Sequence, residues 1–72
     1  MIVEQGRLKG SFKGFKNRDT LFEFAHGKTW RQAEYKYNYH YAYMPEAKVV
    51  QDGVECLLYV EGMDEPVRVR RA

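Results

Sequence analysis

Residues 35–43 read Tyr-Lys-Tyr-Asn-Tyr-His-Tyr-Ala-Tyr, five tyrosines at a strict period of two. On a β-strand alternate side chains share a face, so the five rings project together, with Lys36, Asn38, His40 and Ala42 on the other side. On a helix the same rings would scatter around the axis. Met44-Pro45 ends the run, because proline lacks the amide donor that a strand interior needs. Period-two alternation dominates the rest of the chain, and no eleven-residue window keeps an unbroken apolar stripe at helical spacing. The chain therefore reads as all-β.

Leu8, Gly10, Phe12 and Gly14 alternate with Arg7, Lys9, Ser11 and Lys13 as a first strand, its glycines marking a bend or the close approach of a neighbouring backbone. Lys16-Asn17-Arg18-Asp19 is a polar loop. Residues 20–24 and 29–32 form a hairpin, with His26-Gly27 where Asn-Gly usually supplies positive φ. Residues 47–50 and 54–60 form a second hairpin about Asp52-Gly53, and a turn over 62–66 precedes a last strand over 67–70. Residues 1–6 read as a flexible lead-in. Five or six short antiparallel strands in one domain spanning 1–72 favour a meander closed into a small barrel over a sandwich, which needs more strands.

Size limits what such a barrel encloses. A chain of 72 residues and 8.6 kDa scales to about 4,700 Å² of folded surface against about 12,500 Å² unfolded, so roughly 60% is buried. The candidate core is Phe12, Leu21 or Phe22, Trp30, Val49 or Val50, Leu58, Val60, Val67 and Val69. Each tyrosine buries about 150 Å² or more, and so thin a core cannot enclose five. Some rings must reach solvent, a subunit contact or a ligand. Tyr37, Tyr39 and Tyr41, with His40 and Trp30, are the candidate aromatic surface. Trp30 follows a turn and precedes polar Arg31-Gln32, where an exposed indole would stack on a base or planar ligand. The plainer reading makes it a core anchor.

Charge is unevenly placed. Residues 1–18 and 67–72 hold eight cations against Glu4 alone, or +7, while residues 19–66 hold four against nine carboxylates, or −5. If the two ends meet, they form a cationic patch. Apolar residues make up 44% of the chain and its net charge is only +2, which excludes the usual signature of disorder.

Other chemistries find little support. Cys56 is the single cysteine, so an intramolecular disulfide and a cysteine-rich zinc site are excluded. Two histidines without His-x-x-x-His spacing do not make a metal site. Val54, Cys56, Leu58 and Val60 alternate as one apolar face, the setting of an inert buried thiol. Asp64-Glu65 reads as an exposed turn and not a catalytic pair. No phosphate-cradling glycine loop is present, no catalytic residue is assigned and no cofactor is implied. No apolar run approaches 18 residues, which excludes a membrane-spanning helix. Met1–Gln5 lacks a basic leader and an apolar core, so the chain reads as cytoplasmic.

Gly10-x-Phe12-x-Gly14, Thr20-x-Phe22-x-Phe24, Gly27-x-x-Trp30-x-Gln32, Tyr35-x-Tyr37-x-Tyr39-His40-Tyr41-x-Tyr43-x-Pro45, Val60-Glu61-Gly62 and Val67-x-Val69-x-Arg71 together resemble a family of small bacterial proteins with an SH3-like β-barrel. Some members are carried on mobile gene cassettes such as those of integrons. The likeness spans residues 8–71, and His26 stands where asparagine is expected. The resemblance implies a fold and leaves activity open. It also implies that first and last strands lie side by side, bringing Arg7, Lys9 and Lys13 to Arg68, Arg70 and Arg71. Such a patch would bind phosphates in a salt-dependent way.

Three functions fit these residues. The favoured one is a non-enzymatic interaction module that self-associates, or binds a protein partner, through the tyrosine strand. The alternative is a nucleic-acid-binding barrel using the basic ends. The third is an enzyme whose site forms only between subunits, with His40 as the residue to test.

Overall fold

Alternation becomes pleat throughout the chain. The computed structural model describes all of residues 1–72, as eight strands and their turns, with no helix. They are β1 (Ile2–Arg7), β2 (Ser11–Phe15), β3 (Leu21–Glu23), β4 (Thr29–Gln32), β5 (Asn38–Tyr43), β6 (Glu46–Asp52), β7 (Glu55–Val60) and β8 (Val67–Arg71). Six form one curled antiparallel sheet in the order β1-β6-β7-β8-β4-β3, and β2 pairs with β5 as a separate ribbon. The protein is all-β and built like a small SH3-like barrel, with more strands than the five or six expected.

The extra strands have local causes. Residues 1–6, read as a flexible lead-in, instead supply β1, which pairs with β6 from Ile2 opposite Val50 to Arg7 opposite Glu46. Gly10, at φ +70°, breaks the expected first strand and sends the chain from β1 into β2. The second hairpin is framed one residue later than expected. Asp52 pairs with Glu55, leaving Gly53-Val54 as a two-residue loop, and Gly53 at φ +64° takes the first central position, the glycine position of a type II′ turn. Val54 is consequently fully exposed, and Cys56 is half-buried against the core's edge. The apolar face of β7 is thus Leu58 and Val60, with Cys56 at its margin.

The hairpin β3–β4 forms over the expected residues, Leu21 opposite Arg31 and Glu23 opposite Thr29. Only Gly27 of the turn has positive φ. His26 keeps an ordinary backbone, and its Nε2 lies 2.6 Å from the Glu4 carboxylate, tying the turn to β1.

Twelve apolar side chains fill the interior, and the accessible surface of 4664 Å² matches the size scaling. Phe22 and Val49 point inward while Leu21 and Val50 do not, so each ambiguous pair is resolved. Leu8, Phe15, Phe24 and Ala47 join the expected set. Phe12 and Phe15 of the ribbon meet Phe22 of the sheet, with ring centroids 5.9–6.2 Å apart. This cluster seats the ribbon on the sheet.

Two further devices hold the ribbon. A Cβ on Gly14 would strike the Asn38 carbonyl and lie 2.8 Å from the His40 amide nitrogen, and its φ is +96°. Only glycine fits there, which is the close backbone approach that the glycine pattern anticipated. Gln32 is fully buried at the end of β4. Its Oε1 accepts from the Lys16 amide at 2.9 Å, and its Nε2 donates to the carbonyls of Lys16, Glu34 and Lys36. One side chain thereby satisfies the loops entering β3 and β5, whose polar groups would otherwise be costly to bury.

Candidate interaction surface

The orientation of β5 is decided by its inner face. The Lys36 ammonium donates to the Pro66 carbonyl at 2.7 Å and lies 3.5 Å from Glu65. A Cβ on Gly62 would sit 2.7 Å from His40 Nε2, so the imidazole packs directly on the β7–β8 turn. Ala42 packs against the core, opposite Phe12. With Lys36, His40 and Ala42 engaged inward, the pleat sends every tyrosine outward.

Tyr35, Tyr37, Tyr39, Tyr41 and Tyr43 are between 56% and 72% exposed. Along the strand, alternate rings are set about 6.8 Å apart. Ser11 and Lys13 are exposed on β2 beside them. Strand β5 carries no Lys, Arg, Asp, Glu or Pro, and its only sheet partner is β2. The result is a neutral aromatic face on a strand with one edge unpaired.

The other residues singled out from sequence lie elsewhere. Trp30 is 2% exposed, so it is a core anchor and offers no stacking surface. Its ring is covered by Arg71, whose guanidinium stands 4.9 Å from the centroid. His40 belongs to the reverse side of the tyrosine strand. Of the aromatic candidates, Tyr37, Tyr39 and Tyr41 are brought together, and Tyr35 and Tyr43 extend the same row.

The basic ends do not lie side by side, contrary to what the resemblance implied. Strands β6 and β7 separate β1 from β8 in the sheet, and Lys13 is on the ribbon. Arg7 donates to the Met44 carbonyl at 3.0 Å and faces Glu46 at 3.6 Å, while Lys9 lies 3.7 Å from Glu23. Arg68 is held between Glu34 at 3.6 Å and Glu55 at 3.2 Å. Strand pairing was decided by distant partners, which local alternation does not encode. It also sets Arg31, counted with the acidic middle, opposite Arg70. The only signal for this was that both occupy outward positions of their strands.

No helix is long and apolar enough to cross a membrane. Comparison with protein-family models, with curated proteins and with solved structures finds no match.

Proposed function

We propose that this chain is a non-enzymatic interaction module that pairs with a second copy of itself through the tyrosine face of β5. The observation that carries the reading is the row of five exposed rings, which starts at Tyr35 and ends on β5, whose own six residues carry no charged side chain. Strands left at a sheet edge are ordinarily blunted by charge or proline, and β5 has neither. Tyrosine is enriched where proteins meet, offering large contact area at low entropic cost.

Area supports the same occupant. Five rings at these exposures offer about 650 Å² per copy, so two stacked faces bury about 1,300 Å², within the range of specific interfaces. A two-fold axis brings identical patches together, ring against ring. The motifs' likeness to small bacterial SH3-like barrels, some of them on mobile cassettes, fits an accessory cytoplasmic role for such a module.

Light scattering across the micromolar range tests the proposal. The wild-type protein doubles in mass as concentration rises, and the Tyr39→Ser/Tyr41→Ser variant stays monomeric with an unchanged circular dichroism spectrum. A wild-type monomer at every concentration overturns the proposal. A monomer that gains mass only with single-stranded DNA at low salt, and loses it at high salt, overturns it in favour of nucleic-acid binding.

A further inference from the structure

A groove of about 630 Å³ opens beside β8, with Val3, Cys56, Val69 and Trp30 among its lining residues, together with the paired Glu55 and Arg68 and the chain at Arg70 and Arg71. Its volume is that of a small-molecule site, and the mouths of barrels are a common place for one. The groove belongs to the six-stranded sheet and is independent of the tyrosine face.

The charge around it is unbalanced. Arg68 is neutralised by its two glutamates, but Arg31, Arg70 and Arg71 have no carboxylate within 4.0 Å. Arg31 and Arg70 are directly opposed on the outward face of β4 and β8, their side chains away from the groove, which leaves Arg71 as the unpaired cation on the groove side. Arg71 is steadied on the Trp30 ring, which fixes its planar fork beside the groove. A guanidinium fork matches two oxygens of a phosphate or carboxylate at once.

We propose that this groove binds a small molecule carrying an oxyanion group, phosphate or carboxylate, on an apolar body. The anion sits at the Arg71 guanidinium, on the same face of β8 as Val69 and the Trp30 ring. The apolar body lies against Val3, Cys56 and Val69.

Trp30 is the only tryptophan, so its emission reports on the groove. Cyclohexyl phosphate and cyclohexanecarboxylate are titrated separately, alongside inorganic phosphate and cyclohexanol. A saturable emission change with either cyclohexyl anion, weaker with inorganic phosphate and absent with cyclohexanol, supports the proposal. The tighter of the two anions identifies the source of the oxyanion. Arg71→Gln weakens binding by about tenfold. Lys28→Gln, on the β3–β4 turn, leaves it unchanged. Absence of saturation with both anions, an equal response to cyclohexanol, or unaltered binding in Arg71→Gln each overturns the proposal. So does a short oligonucleotide that binds more tightly than cyclohexyl phosphate with a steep salt dependence.

Discussion

The six-stranded sheet and the β2–β5 ribbon use the same period-two pattern to opposite ends. In the sheet, inward positions hold Phe22, Trp30, Val49, Leu58, Val67 and Val69, and several outward charges are paired, as Arg7 is with Glu46 and Arg68 with Glu34 and Glu55. In the ribbon, β2 sends Phe12 and Phe15 inward, but β5 turns its more polar side in to grip the β7–β8 turn. Its larger rings are left in solvent. A strand's buried face is thus the one that finds specific partners, even when the other face is the more aromatic.

If the ribbon is held by a few exacting contacts, breaking them unfolds the whole barrel. Phe15→Ala empties a fully buried site where ribbon meets sheet, and costs about 3–5 kcal/mol in denaturant unfolding. Loss of the ribbon alone, with sheet amides still protected from exchange, would show instead that the two regions fold separately.

Gly14→Ala probes the same seam from the backbone. It costs about 3 kcal/mol, combining a disallowed φ with displacement of β5. Gly53→Ala, where nothing lies within 4 Å of the added carbon, costs only about 1 kcal/mol. Thermal melts of the pair sharpen the contrast, since equal losses would mean that φ alone accounts for Gly14. The smallest effect belongs to the outer face. Tyr41→Ser, measured on the monomer, changes folding stability by no more than about 0.5 kcal/mol. A loss as large as that from Gly14→Ala would make the rings part of the fold.

Much of the sheet was legible because its signals are local. The β3–β4 hairpin, the β6–β7 pair and the inward positions of β4, β7 and β8 follow from alternation between turn residues. Strand β1 was not legible, since Ile2-Val3 does not alternate and a register shift falls between Ile2 and Glu4. Phe15 and Phe24 sit at or beyond strand ends, where period two gives no orientation. Gln32 looked like an ordinary polar residue, because its bonds to Lys16, Glu34 and Lys36 are all to backbone groups of irregular segments, which no side-chain pattern announces. For the surface, the tyrosine row was visible from spacing alone. Its outward direction required the contacts of Lys36 and His40, and the separation of the basic ends required the strand order.

Strand β1 precedes its partner by most of the chain, with Ile2 meeting Val50. The hairpins β3–β4 and β6–β7 close over short turns and form early, whereas β1 waits until β6 exists. Pairings of this kind slow folding, because the intervening loop must be ordered before any contact rewards it. Until β1 arrives, β6 presents a bare hydrogen-bonding edge, a template on which another nascent chain can add. Strand β1 is therefore also a cover for the β6 edge, and any mutation that weakens β1 exposes that edge again.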